Sequence, residues 1–266
     1  MSGALAGMGE GVTGRLSRRG RWLSFLTKLG VFVALRFLWH AVTVTEIVSP
    51  FFLPQPGAVL TVFWRILSTG RVLPDLGVTF FEFAVAGPLA VVTGILAGYL
   101  ISTTRYSTIV LEPVISSLYA IPIIIFYPIS IMALGIGPES KIAHGALFGF
   151  FPICLNTIQG FSGVDAIYLR MARSTGATKA QLLRRILIPA AAPTILNGVR
   201  LGLMLCFLAI IGGETIASLE GLGHRIVWYA EGMQMTNMFA YIVFVILIAT
   251  VMNVCLSLLE LRRRGA

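Results

Sequence analysis

Charge is scarce in this chain. Only 12% of its 266 residues are Asp, Glu, Lys or Arg, about half the share usual in a soluble domain, which excludes a water-exposed surface over most of its length. Cysteine is scarcer still. Cys154, Cys206 and Cys255 are the only three; each lies in an apolar segment and no CxxC pair occurs, so the sequence carries no disulfide framework and the three are expected to be inert, buried small hydrophobes. His224, in GLGH, is a loop histidine with nothing at ligand spacing, which leaves a metal site unsupported. No GxxxxGK[ST] segment is present to cradle nucleotide phosphates. No nucleophile and base pair, and no paired carboxylates in a water-accessible cleft, stand out. The chain therefore reads as no enzyme and as requiring no cofactor of its own.

Long apolar runs are what it has. The sequence is 57% hydrophobic, and windows near residues 29–49, 78–100, 112–135, 141–162, 193–216 and 238–260 are each long enough to cross a hydrocarbon layer of roughly 30 Å as helices. The expected fold is an all-α integral membrane protein with about six transmembrane helices. Arg36, His40 and Glu46 interrupt the first window; Arg36 and Glu46 lie toward its opposite ends, where long side chains reach headgroups. With the N terminus in the cytoplasm, fourteen Lys and Arg fall on inner segments (Arg15, Arg18, Arg19, Arg21, Lys28, Arg105, Arg170, Arg173, Lys179, Arg184, Arg185, Arg262, Arg263 and Arg264) against four outside (Arg65, Arg71, Lys141 and Arg225). Both termini are thus expected inside. The net charge of +9 follows from topology; the basic residues are spread over separate membrane-flanking segments, which gives no nucleic-acid face.

Residues 1–28 form a basic, glycine-containing tail that can sit on anionic headgroups, residues 29–260 the membrane domain, and residues 261–266 a short basic tail. Between the first two spans, SPFFLPQPG breaks helix and AVLTVFWRILSTG reads as a short amphipathic surface helix. In the second span Gly94 and Gly98 are spaced to let a neighbouring helix approach closely, and Glu82 is expected to snorkel toward the headgroups, with pairing inside the bundle as the alternative. The third span carries Pro113, Pro122 and Pro128, so its interior loses backbone hydrogen bonds; Pro122 and Pro128 point to a pathway-lining or moving helix, a kinked packing helix being the alternative. In the fourth, Pro152, Asn156 and Gln159 share a face that should meet a helix or water rather than lipid, because an unpartnered buried amide costs about 1–3 kcal/mol. Glu214 lies near the outer end of the fifth span behind Gly212 and Gly213, as a substrate contact, a pair with a basic neighbour or an interfacial charge. Pro122, Pro128, Asn156, Gln159 and Glu214 are the candidate path residues.

The segment from 163 to 190 is a basic island between apolar runs. Asp165 is placed to cap a helix; Leu169, Ala172, Leu182, Leu183, Ile186 and Leu187 supply apolar contacts, and Arg170, Arg173, Lys179, Arg184 and Arg185 a polar surface. Gly176 permits a bend between two helical pieces, and Pro189 is expected to stop the second. An amphipathic helix lying on the inner headgroups accounts for this pattern as well as a docking element does.

Within the island, MARSTGATKAQLLRRILIP resembles the cytoplasmic EAA loop of binding-protein-dependent ABC importer permeases. The likeness rests on Ala172, Gly176, Ile186 and Pro189 at the family's spacing; Arg170 and Met171 stand where Glu and the first Ala occur in that family. LPQPGAVLTVFWRI, LEPVISSLYAIPIIIFYPISIMALGIGPESK and FPICLNTIQG resemble the nitrate, sulfonate and taurine (NitT/TauT) branch, with Glu82 where those proteins often have Arg. The resemblance covers about residues 50–260. It implies the type I (MetI-like) importer permease architecture in a bacterial inner membrane, a second permease subunit (a homodimer), two cytoplasmic subunits that bind the ATP, and an extracytoplasmic solute-binding protein. It makes the island the coupling helix, with Ala172, Gly176, Leu182, Leu183, Arg184, Arg185, Ile186 and Pro189 as ATPase-coupling residues. A small polar or anionic solute is the expected cargo. A thiamine-related pyrimidine or an aromatic acid is the alternative within the superfamily, and a secondary transporter or channel, which would call for internal charges or an inverted repeat, the alternative outside it.

Overall fold

The computed structural model describes residues 18–264, apart from Glu46 and Pro50. The first part of the expected basic tail, Glu46 of the first window and the last two residues lie outside it. Every regular element among the described residues is helical. The chain divides into two units, residues 1–60 and 61–266. In the first, α1 runs Arg18–Val44 and includes a shorter apolar stretch, Val33–Val44; beyond it, the Trp39 indole N–H donates to the Pro54 carbonyl at 3.2 Å. The amphipathic helix α2 (Pro56–Ser68) carries the chain across into the second unit.

The second unit continues with α3 (Leu73–Ser102), α4 (Arg105–Ala120), a 3-10 turn (Ile123–Phe126), α5 (Tyr127–Leu134), α6 (Pro138–Ser162), α7 (Ala166–Ser174), α8 (Lys179–Leu182), a π-helical turn (Leu183–Leu187), α9 (Ile188–Ile216), α10 (Leu222–Glu231) and α11 (Met235–Arg264). Among the described residues four helical stretches are long and apolar enough to cross a membrane: Leu73–Ser102, Pro138–Ser162, Lys179–Ile216 and Met235–Leu258. The expected third span is a broken one. Arg105–Ala120 and Ile124–Leu134 meet at 74°, with extended backbone at Ile121 and Pro122. Pro128 sits in the first turn of α5, where its missing N–H removes nothing.

Two expectations need correction. Pro189 does not stop a helix: it occupies the first turn of α9, and the chain runs on as one helix from Lys179 to Ile216. The π turn just ahead of it supplies the reason, since an i→i+5 register loosens the ladder where the ring must fit. Of the cysteines, Cys154 and Cys206 are buried, but Cys255 is exposed on the half-exposed helix α11.

Helix α6 lies at the centre, with α3 and α9 as its main neighbours. Two membrane helices gain little from exchanging lipid for each other, so association depends on close backbone approach. A methyl group placed on Gly98 would lie 2.5 Å from Thr157 Cβ, and one on Gly202 2.5 Å from Ile153 Cγ1 and 2.6 Å from the Gly149 carbonyl. On that basis Gly202→Leu and Gly98→Val are expected to destabilise the bundle by about 1–3 kcal/mol each through overpacking. The check is recovery of folded chain and its thermal midpoint in detergent, against Gly57→Ala, whose surroundings are open.

Candidate functional site

The island folds as two short helices around a tight turn. Asp165 Oδ1 accepts the Ile167 N–H at 2.8 Å and opens α7; Gly176, at φ +70°, closes it in the left-handed conformation, which glycine adopts without a Cβ clash. The Ala177 N–H returns to the Ala172 carbonyl at 3.0 Å. Thr178 and Gln181 then form a reciprocal capping box that starts α8. Ala172 is buried, whereas Leu182, Leu183 and Ile186 are half-buried and Arg184, Arg185 and Pro189 exposed. Leu169, Leu182, Leu183 and Leu187 line a cavity of about 480 Å³ with Tyr99 and Thr103, so much of the expected apolar face is turned toward the chain's own α3. On α7 the large apolar side chains left uncovered are Ile167, Tyr168 and Met171, at 51%, 55% and 61% exposure. Periodicity missed them because α7 is only nine residues long.

At the opposite end of the bundle three polar ties hold the α9–α10 connection against α3 and α6. In the first, Arg225 donates from Nε and Nη2 to the two oxygens of Asp75, each at 3.0 Å, and Tyr241 adds its hydroxyl to Asp75 Oδ2 at 3.2 Å. The hydrogen bonds that Asp75 accepts raise the Arg225 pKa above its ordinary value, and the guanidinium lies 5.5 Å from the Trp228 ring centroid.

The second tie is Glu214, buried among donors. Its Oε1 accepts from Thr79 Oγ1 and its Oε2 from the Gly223 N–H, both at 2.7 Å; Thr79 Oγ1 in turn accepts the Leu222 N–H at 3.0 Å. A Cβ on Gly221 or Gly223 would strike the Glu214 side chain, so the GLG sequence lets backbone wrap a carboxylate. Glu214 is 1% exposed, which sets aside the interfacial reading, and its directed partners are a hydroxyl and a backbone N–H rather than a basic neighbour.

The third tie corrects the expectation for Glu82. Its side chain is 0% exposed and lies 2.7 Å from Lys141 Nζ; it does not snorkel. The ammonium directs its hydrogen bond to Ser218 Oγ at 2.7 Å, while both Glu82 oxygens lack a directed hydrogen bond, so the attraction is one of opposed charges. A desolvated carboxylate this far into α3 is held where its counter-charge is. Beside the pair opens a cavity of about 480 Å³ walled by Phe81, Ile136 and Leu219. His144 is buried with both ring nitrogens unpartnered, between the rings of Tyr127 and Phe148. None of these pairings is local in sequence, and a lone charge near a span end reads as interfacial.

The remaining path candidates are apart from these ties. Pro122 and Pro128 are exposed at the break between α4 and α5. Asn156 is half-buried, donates to the Pro152 carbonyl at 2.8 Å and touches Gly198 of α9, so its face meets a helix; Gln159 is exposed one turn further on.

Residues 90–265 match the family described as the binding-protein-dependent transport system inner membrane component, and the chain belongs to that family. It is 28% identical to the taurine transport system permease protein TauC of Escherichia coli strain K12 over 92% of this chain and 93% of that one. It is 32% identical to the riboflavin transport system permease protein RibX of Chloroflexus aurantiacus over 87% and 88% of the two chains. In fold it is similar to a chain of the MetNI methionine ABC transporter in an inward-facing conformation, with a TM-score of 0.63 over 71% of this chain and 94% of that one at 20% identity. The chain is an ABC importer permease of the MetI-like type, a multi-pass inner-membrane component resembling the sulfonate and taurine branch.

Breaking one side of a buried ion pair is worse than removing both. Lys141→Met is expected to lower stability by about 3–5 kcal/mol, and the double change Lys141→Met with Glu82→Leu to recover most of the loss. Thermal midpoints of the purified variants check this; equal losses for single and double variants would show that the pair contributes nothing through its charges.

Proposed function

We propose that this chain forms half of the translocation path of an ATP-driven importer, pairs with a second copy of itself, and couples to two cytoplasmic ATP-binding subunits through α7 and α8. The observation that carries the reading is the continuity of the chain between its two ends. A capped, exposed helix pair presents Ile167, Tyr168 and Met171 beside Arg170, Arg184 and Arg185, and α8 runs without a stop through the π turn into α9. Thirty-eight helical residues span roughly 57 Å at 1.5 Å each. Displacement of α7 and α8 by a closing ATPase would therefore reach Glu214 and the polar ties along one rod, with the π turn and Pro189 as the place where register yields. Ala172 anchors α7, Gly176 sets the angle between the pieces, Leu182, Leu183 and Ile186 seat α8, and Arg184 and Arg185 steer the partner electrostatically.

In this reading both termini lie on the ATPase side, in keeping with the excess of Lys and Arg there, and an extracytoplasmic solute-binding protein delivers cargo at the end bearing α10. Pro122, Pro128, Asn156 and Gln159 line the path, and Glu214 secures its outer end. The chain performs no chemistry and holds no cofactor; the ATP is bound by its partners. The cargo is a small sulfonate-like anion or zwitterion, supported by the likeness to TauC over nearly the whole chain. The likeness to RibX supports a second reading, an aromatic heterocycle as cargo.

Tyr168→Asp combined with Met171→Asp is expected to cut co-purification of the ATP-binding subunit by about thirtyfold, the loss of a 2 kcal/mol hot spot, and to abolish uptake while membrane insertion stays normal. Gly176→Val, which forces a β-branched residue to φ +70°, should retain the partner and uncouple ATP hydrolysis from uptake. Quantitative mass spectrometry of the purified complex and uptake of labelled taurine or riboflavin in proteoliposomes check both. Wild-type partner recovery and transport in these variants would overturn the coupling role.

A further inference from the structure

A pocket of about 410 Å³ opens at the α10 end between α2, α10 and the start of α11, and the importer reading makes no use of it. Arg65, Thr69, Arg71, Trp228, Gln234 and Asn237 line it. Its two cations come from separate elements. Arg65 lies on the last turn of α2, and Arg71 follows the turn at Gly70, whose φ of +67° reverses the chain into α3. The wall is firm where it matters: Phe63 and Ile66 of α2 are buried, and the Phe63 ring stacks on Phe244 of α11 at 4.2 Å.

Among the described residues neither arginine has a carboxylate within ion-pair distance. Arg65 Nη2 reaches Asn237 Oδ1 at 3.5 Å, a long contact that leaves the rest of the guanidinium fork open. Asp75, four residues after Arg71, is held by Arg225 in a bidentate pair. Asn237 Nδ2 donates to Gln234 Oε1 at 2.8 Å, which leaves the Gln234 amide NH₂ as a further donor. The Thr69 hydroxyl is spent on the Arg65 carbonyl at 2.7 Å, so the free donors are two guanidinium groups and the Gln234 amide, which with no acid in the lining make the complement of an oxyanion.

The surroundings say where that oxyanion resides. Trp64, next to Arg65 in α2, and Trp228 of the pocket wall are exposed at 58% and 47%, and exposed tryptophan beside arginine near the ends of membrane-spanning helices marks headgroup depth. We propose that this pocket is an oxyanion site that takes the phosphate of an anionic phospholipid headgroup, clamped by Arg65 and Arg71 with the acyl chains leaving along the tryptophans. A free phosphate or sulfonate shares the chemistry, and the test separates the two sources.

The full-length chain is purified in mild detergent as wild type, Arg71→Gln, Arg65→Gln/Arg71→Gln and the corresponding double lysine variant. Native mass spectrometry reads phosphatidylglycerol adducts against phosphatidylcholine adducts, and calorimetry reads inorganic phosphate and methanesulfonate. Each surface cation contributes about fivefold to anionic lipid affinity, so phosphatidylglycerol retention should fall about fivefold in Arg71→Gln and on the order of thirtyfold in the double glutamine variant, with partial retention in the lysine variant. Loss of a saturable phosphate or methanesulfonate signal, with lipid retention unchanged, would assign the site to a free oxyanion. Lipid retention and anion binding both unaffected in Arg71→Gln, which breaks no hydrogen bond of the fold, would overturn the proposal even if the double variant failed to fold.

Discussion

Everything in the second unit depends on how closely α3 and α9 can approach α6. In lipid there is no water to expel between helices, so contact must come from dispersion and from backbone proximity. Glycines on all three helices answer that constraint. Gly94 and Gly98 of α3 leave room for Ile153 and Thr157, while Gly198 and Gly202 of α9 leave room for Asn156 and Ile153. One side chain, Ile153, is thus gripped from both sides and is fully buried. The same seam sets the geometry of both ends: it aligns the N-terminal half of α3 with the C-terminal half of α9, where the polar ties form, and it brings the start of α9 beside the end of α6, where the island leaves the bundle.

Once the helices are that close, the charges near the α10 end can be buried without being abandoned. Asp75, Glu82, Lys141 and Glu214 are each at most 5% exposed, and each has a counter-charge or donors supplied from another helix or from the GLG backbone. Such ties contribute less to net stability than their number suggests, because desolvation offsets the attraction. What they contribute is specificity of arrangement. A carboxylate that has given up water for Thr79 and the Gly223 N–H has no second position of equal energy nearby, so the α9–α10 connection moves with α3 or the ties break together.

The sequence made the helical, membrane-spanning character legible, together with the broken third span and the glycine-hinged island, because each rests on local pattern: apolar length, proline spacing, a capping residue, a left-handed glycine. Gly94 and Gly98 were visible for the same reason. Glu82 and Lys141 were not, since they lie 59 positions apart and only helix packing makes them neighbours. Pro189 reads as a stop when only its own ring is considered, whereas the π turn from Leu183 to Leu187 lets the helix pass through it. The exposed triad of Ile167, Tyr168 and Met171 is masked in the sequence by the more conspicuous leucines of α8 and the π turn, which face Tyr99 and Thr103 instead of the water. Apolar residues on a short helix do not declare which face the rest of the chain will cover.

The unbroken run from Lys179 to Ile216 joins the two findings that sequence separated. A proline that ended the second island helix would have left a flexible joint between island and bundle, and motion of the island would have dissipated there. A continuous helix transmits displacement, but a wholly rigid one packed through glycines on α6 could move only by dragging α6 along. The π turn resolves the conflict by position. It lies outside the glycine-packed stretch: it carries the exposed Arg184 and Arg185 and ends ahead of Ala191, the first buried residue of α9. The looser register thus lies where the helix borders only the cavity beside Tyr99 and Thr103, while the part gripped by Ile153 runs on in α-helical register to the ties at Glu214. Stiffness and give are divided along one helix according to where its neighbours are.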